Sequence, residues 1–232
     1  MSKDPPLVEV RGLEKIYAGG SRVAAVRAVD LVVERGEFTA LAGPSGSGKS
    51  TLLNLIGTLD LPTKGEVLHE GRLVSRLPLP DLADFRLRTL GFVFQSYNLI
   101  PVLTAVENVE YPLVLQNIAP RERRRAAQKA LSWVGLETYA DRRPDLLSGG
   151  QQQRVAVARA IVHRPDLVLA DEPTANLDSK TGAALLDLME TLNQDHGITF
   201  LFSSHDPAVL SRARRVVRLQ DGQLNGEDQR GR

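Results

Sequence analysis

The chain has 232 residues, 29 Lys plus Arg against 28 Asp plus Glu, and no cysteine. That length supports one large domain or two small lobes with ample core. The lack of cysteine excludes disulfides and thiolate metal sites, and a net charge of +1 argues against DNA or RNA as the main partner, because nucleic-acid binders carry a clear basic excess or patch.

Residues Met1 to Val10 contain no apolar h-region, so no secretion signal is expected. No apolar run approaches the roughly 18 residues that span a bilayer. The expectation is a soluble, cytoplasmic protein whose membrane role, if any, comes through a partner.

Leu7 to Val10 and Ala28 to Val33 read as strands, with Gly19-Gly20 as the turn between them. Phe38 to Ala42 is a short apolar strand running into Gly43, and a helical pattern starts near Lys49 and continues through Leu52, Leu53 and Leu55. Gly91 to Phe94 predicts another strand, ending at Gln95. From about Tyr97 to Pro165 helical signals take over, with candidate helices at 121–134 and 148–162.

Leu167 to Ala170 is continuously apolar, as expected of a strand buried on both faces. A helix over 181–192, a buried strand over 198–203 and a closing hairpin around Asp221-Gly222 follow, and the last eight residues or so are expected to fray. Strand, loop, helix and buried parallel-type strands mean a three-layer α/β core. The stretch between Gln95 and Pro165 reads as a helical insertion forming a second lobe. The basic run Arg121 to Arg125 is read as the solvated face of a helix rather than a phosphate patch.

Gly43-Pro44-Ser45-Gly46-Ser47-Gly48-Lys49-Ser50 fits G-x-x-x-x-G-K-[ST], between a strand and a helix that continues with Thr51. Glycines let several N–H groups converge on one anion, and the helix adds its positive end. Lys49 supplies a point charge for the terminal phosphates of a nucleotide, and the Ser50 hydroxyl can ligate Mg2+. A magnesium-bound nucleotide needs a second acidic anchor. Asp171 and Glu172 stand at the end of the 167–170 strand, where strand alternation would turn them in different directions. Asp171 can hold the metal through water, and Glu172 can orient or deprotonate the attacking water.

His205 ends another apolar strand, at the edge where α/β sheets bind ligands, and can donate to a terminal phosphate. His69, His163 and His196 have no such setting. Gln95 also ends a strand; it is either a polar boundary residue or a contact to magnesium or the attacking water. A second glycine-marked helix start, Ser148-Gly149-Gly150-Gln151, combines an N-cap residue with two glycines that leave room for a ligand. It lacks a lysine or magnesium ligand, so it can complete a nucleotide site but not form one alone.

Together these residues resemble the ATP-binding subunit of an ABC transporter, a P-loop NTPase (RecA-like) fold, over about Val8 to Leu224. The motifs fall in the family's order: Walker A at Gly43 to Ser50, with Thr51 next to it in the nucleotide site, Q-loop at Gln95, signature at Leu147 to Gln151, Walker B at Leu167 to Glu172, D-loop at Asn176 to Asp178 and switch histidine at His205. The resemblance implies a single ABC ATPase domain with an N-terminal antiparallel β portion, a nucleotide-binding core of 1–94 and 166–224, a helical subdomain of 95–165, and a tail from 225. It implies that Tyr17 stacks on adenine, that Glu172 is the catalytic base, and that Asp178 belongs to the nucleotide site. It also implies that two copies pair head to tail around two ATPs.

The finer resemblance is to the macrolide-export and lipoprotein-release branch, MacB- and LolD-like, whose permeases are FtsX-related. It rests on Gln95 to Val109, Leu147 to Arg154 and Ala170 to Gly182. Polar amino-acid importers share the second stretch but much less of the third. The branch implies a separate integral-membrane permease, work from the cytoplasmic face of the inner membrane, and outward movement of an amphipathic or lipidated substrate. Tyr97, Leu99, Ile100, Val102 and Leu103 offer apolar groups to such a permease.

Two other classes compete. Chromosome and repair ATPases of this type carry a long coiled coil before the signature, but the interval from Ser50 to Leu147 shows no sustained heptads; translation ATPases carry two such domains in one chain. A small-molecule kinase or GTPase leaves Ser148 to Gln151 unexplained.

Overall fold

The computed structural model describes residues 4–18 and 22–229; the expected Gly19-Gly20 turn lies outside them. The chain divides into two units, one of residues up to Arg86 together with those from Thr199, the other Leu87–Ile198.

The first unit opens with β1 (Val8–Ala18) and β2 (Arg22–Val33), both longer than expected. They form an antiparallel ribbon from Val8 opposite Val33 to Ala18 opposite Arg22. Then come β3 (Phe38–Ala42), α1 (Lys49–Ile56), β4 (Lys64–His69), β5 (Arg72–Leu73) and the start of α2 (Leu79–Thr89), which crosses into the second unit. Strands β2-β1-β4-β5 make the antiparallel sheet.

The second unit holds β6 (Leu90–Val93), α3 (Ala105–Leu115), α4 (Pro120–Trp133), α5 (Gly149–Ile161), β7 (Leu167–Ala170) and α6 (Ser179–His196). The chain closes in the first unit with β8 (Thr199–Ser204), a short α7 (Pro207–Leu210), β9 (Arg215–Gln220) and β10 (Gln223–Gln229).

In the first unit β3 runs parallel to β8 and β9, and every residue of β3 and β8 is buried. A strand covered on both faces has no polar side to alternate with. Phe38 anchors this core, 5.7 Å from the Phe200 ring and 4.9 Å from that of Phe202. At the end of β9, Asp221 and Gly222 take positive φ values of 50° and 79°, the backbone of a two-residue hairpin turn that matches strand twist.

In the second unit β6 and β7 pair in parallel, Leu90 opposite Leu167 and Val93 opposite Ala170. Helix α5 rests directly on β6: a side chain at Gly91 would place Cβ 2.3 Å from the Ala160 carbonyl oxygen. β6, β7 and α6 group with the helical segment in this unit. Thr104 and Glu107 form a capping box at the start of α3.

Two further expectations change. Residues 225–229 do not fray; they are most of β10, paired with β9 as Glu227 to Val217, Asp228 to Val216 and Gln229 to Arg215. Ion pairs from Arg215 to Glu227 at 2.7 Å and from Arg218 to Asp228 at 2.7 Å hold the strand. The basic run on α4 is only partly a solvated face. Arg123 and Arg124 reach Glu110 of α3 at 3.2 and 3.0 Å, and that carboxylate is 9% exposed. A carboxylate so buried requires charged partners.

Candidate functional site

In the first unit the phosphate loop connects β3 to α1. Gly48, the N-cap, sits at φ 103°, and no side chain caps the helix. An N-terminus with no side-chain cap is the kind of helix end that receives an oxyanion. Two loop glycines are also required by packing. A Cβ at Gly43 would lie 2.1 Å from the Leu219 carbonyl oxygen, and one at Gly48 would lie 2.2 Å from that of Ala25. Gly46, at φ 80°, faces open space, so its glycine serves backbone conformation alone. Lys49 is buried, and its ammonium donates to the carbonyls of Gly43 at 2.8 Å and Pro44 at 3.1 Å. The buried Ser47 hydroxyl finds no hydrogen-bond partner among the described residues, which suits a loop built around an oxygen-rich ligand.

Beside the loop lies a cavity of about 360 Å³. Gly46, Gly48, Lys49, Ser50 and Thr51 line one side, and Val23 to Ala25, Arg27, Asp221 and Gly222 the other. The second set was not anticipated from sequence. The Gly222 N–H donates to the Ser47 carbonyl at 3.0 Å, and its carbonyl accepts from Arg27 N–H at 2.8 Å. The hairpin turn thus braces the phosphate loop. Its Asp-Gly signal was legible, but its neighbour in space was not.

Tyr17, on β1, is 42% exposed and donates its phenol to Asp60 Oδ2 at 2.8 Å. Partial burial and the Asp60 carboxylate raise its pKa, against a hydrogen bond with the Thr51 side chain. Tyr17 is therefore next to the first turn of α1. Burial pushes the Asp60 carboxyl up, but hydrogen bonds from Lys15, Tyr17 and the Leu61 N–H outweigh it and hold the group below its usual range. His205 follows β8 immediately. Because Ala42 is opposite Ser204 in parallel register, His205 and Gly43 leave adjacent strands at the same end.

The second unit brings together the remaining residues. Gln95 and Asp171 follow β6 and β7, whose last residues are paired, and the Asp171 N–H donates to the Val93 carbonyl at 2.9 Å. β7 ends at Ala170, so strand alternation does not separate Asp171 from Glu172. Instead Glu172 takes φ 44°, a left-handed conformation that costs a non-glycine residue about 1 to 3 kcal/mol.

At the start of α5, Ser148 is the N-cap as expected. Its hydroxyl accepts from the Gln151 N–H at 3.3 Å, and the Gln151 carboxamide oxygen accepts from the Ser148 N–H at 2.9 Å. Asp178 caps α6, accepting from the N–H groups of Lys180 and Thr181 at 3.1 and 3.0 Å and from the Thr181 hydroxyl at 2.6 Å. The Thr181 hydroxyl and N–H hold its carboxyl below the usual range. Of the apolar residues after Gln95, Val102 is 72% exposed, and Tyr111, Val114 and Leu115 of α3 add exposed apolar surface not expected from sequence. Among the described residues no helix is long and apolar enough to cross a membrane.

A glycine-rich loop with a buried lysine between a parallel strand and an uncapped helix defines a P-loop nucleotide-binding cassette, with an antiparallel β portion and a helical insertion. Comparisons with known proteins extend this. Residues 26–175 match the family described as ABC transporter. The chain is 48% identical over 226 residues to an uncharacterized ABC transporter ATP-binding protein of Thermotoga maritima, covering 97% of this chain and 96% of that one. It is 47% identical to the macrolide export ATP-binding/permease protein MacB of Hyphomonas neptunium, covering 95% of this chain but 34% of MacB. The dimeric post-hydrolysis structure of the ATP-binding cassette MJ0796 bound to ADP and Pi superposes with a TM-score of 0.89 at 43% identity, covering 97% of this chain and 100% of that one. MJ0796 is from Methanocaldococcus jannaschii. The chain belongs to the ABC transporter family, as an ATP-binding cassette that hydrolyses ATP.

Proposed function

We propose that this cassette powers a separate membrane permease of the MacB and lipoprotein-release kind from the cytoplasmic face of the membrane, moving an amphipathic or lipidated substrate outward. The observation that carries its nucleotide half is the uncapped N-terminus of α1 with Lys49 beside the 360 Å³ cavity. The 47% identity to MacB supports the branch.

The backbone of Gly43 to Gly48 and the Lys49 ammonium bind the phosphates, with Tyr17 on the adenine. Magnesium takes hard oxygen donors, and the proposed ligands are the Ser50 hydroxyl, Gln95 and Asp171. Gln95 and Asp171 leave neighbouring strand ends, which suits a shared oxygen-ligated ion; when bound, the ion neutralises developing phosphate charge. Glu172 takes the proton of the attacking water, and His205 donates to the terminal phosphate.

Ser148 to Gln151 and Asp178 complete the site of a second copy. α5 presents a capped, glycine-marked N-terminus whose motif, Ser148 to Gln151, carries no lysine and no acidic residue, which is half of an anion site. The dimeric structure of MJ0796 is similar to this chain over its full length.

The test uses Glu172→Gln. Hydrolysis should fall about a thousandfold while ATP binding persists, and the ATP-bound variant should sediment as a dimer. Ser148→Arg in the same chain should return it to a monomer. Normal turnover in Glu172→Gln removes Glu172 as the base; a dimer that survives Ser148→Arg removes the head-to-tail arrangement.

A further inference from the structure

Gln153 follows Gly150 by three residues on α5 and is fully buried, at 0% exposure. Its carboxamide nitrogen donates to the Pro173 carbonyl at 2.6 Å and reaches the Phe94 carbonyl at 3.4 Å. Its carboxamide oxygen has no hydrogen-bond partner among the described residues. Two carbonyls on one side leave only the NH2 orientation possible, since an oxygen there would be repelled by both.

The two carbonyls flank the chemistry. Phe94 immediately precedes Gln95, and Pro173 immediately follows Glu172. One side chain on the signature helix therefore ties the backbone before the expected water or metal contact to the backbone after the expected base. Glu172 needs such a tie. Its left-handed φ of 44° is held only if the surrounding structure over-determines it. The Ala175 N–H donates to the Glu172 carbonyl at 3.1 Å, which closes the turn on one side; Gln153 closes it from behind.

We propose that Gln153 is a positioning residue for ATP hydrolysis: it holds the Glu172-Pro173 turn and the start of the Gln95 loop in one register with the signature helix. It touches no substrate atom. It fixes where the Glu172 carboxylate is, and it makes that position depend on the placement of α5. A buried amide with one unpaired oxygen is a costly choice for a core. An apolar residue of the same length would avoid the unpaired oxygen but would leave the Pro173 carbonyl without its donor, so what Gln153 supplies at this place is the donor. The proposal rests on the reading of Glu172 as the base.

The experiment compares Gln153→Met, which keeps the length and loses the donor, with the parent chain. Expected is a melting temperature lowered by no more than a few degrees, the effect of one orphaned carbonyl, ATP affinity within a factor of about two, and kcat reduced about a hundredfold, the scale of a misplaced catalytic group. If Gln153→Met does not fold, Gln153→Asn, which keeps the donor but falls short of Pro173, is read in the same way. An unchanged kcat, or a loss of melting temperature, affinity and kcat together, overturns the proposal. Adding Gln153→Met to Glu172→Gln should lower the residual rate by less than a factor of about two; a further hundredfold loss would show that Gln153 does not act through Glu172. Normal turnover in Glu172→Gln alone defeats the base assignment and, with it, the positioning role of Gln153, whereas a hundredfold loss in both single variants with no further loss in the double variant supports both.

Discussion

A methyl group at Gly150 would lie 2.3 Å from Cγ2 of Thr181 on α6. The second signature glycine is therefore demanded by packing within this chain, apart from any ligand at the helix start. Gly150→Ala gains about 1 kcal/mol of helix propensity, but overpacking costs about 1 to 3 kcal/mol, so the clash decides the sign. The variant should melt a few degrees below the parent by circular dichroism. Thr181→Ser in the same chain deletes Cγ2 while keeping the hydroxyl on Asp178, and should restore the melting temperature. A parental melting temperature for Gly150→Ala alone would show that the α5–α6 contact yields freely.

Tyr17 is aligned by Asp60, and the two are separable. Tyr17→Ala should weaken ATP binding about tenfold, the scale of one lost aromatic stack with its buried area. Tyr17→Phe keeps the ring and should bind nearly as the parent does. A fluorescent ATP analogue titration reads both, and parental affinity in Tyr17→Ala would remove the adenine contact. Asp60 adds a pH signature. Its folded-state pKa is lowered, so its contribution to stability is complete above the ordinary carboxylate value of about 4 and is lost as pH falls through the lower folded value. The stability advantage of the parent over Asp60→Asn should therefore shrink between about pH 5 and pH 2, measured as melting temperature against pH.

Arg215 joins three segments. Its guanidinium donates to both Glu227 carboxylate oxygens at 2.7 and 2.9 Å, to Glu37 Oε2 at 3.0 Å and to the Val32 carbonyl at 2.6 Å. Arg215→Met removes all of these and leaves β10 held by its backbone ladder and the Arg218–Asp228 pair. Amide exchange at Glu227 to Gln229 should accelerate, while β3 and β8, buried along their full length, stay protected. Unchanged exchange at β10 would show that the ladder and the Arg218–Asp228 pair suffice.

The sequence and the fold agree where the chemistry is local. The glycine spacing of 43–48 requires particular backbone angles, and Gly46 and Gly48 adopt positive φ. Ser148 and Gln151 are three residues apart and close a capping box as their types predict. The central strands, being continuously apolar, were legible as buried. β4, β5 and α2 went unread. Glu70-Gly71, both at positive φ, was a turn signal between β4 and β5. α2 buries only Leu82 and Phe85, too few to set a clear period. The ribbon of β1 and β2 extends well beyond its apolar residues because each strand satisfies the other's backbone groups, which no single-strand pattern reveals.

By itself the sequence determined the phosphate loop, the order of the motifs and the two glycine-marked helix starts, because each needs only residues within a few positions of one another. The tertiary structure decided what those motifs lean on. The Asp221-Gly222 turn braces the phosphate loop from the far end of the chain, Thr181 forbids a side chain at Gly150, and Gln153 ties Phe94 to Pro173. Each joins segments tens of residues apart, and the backbone groups that are paired across such distances leave no mark on the local order of residue types.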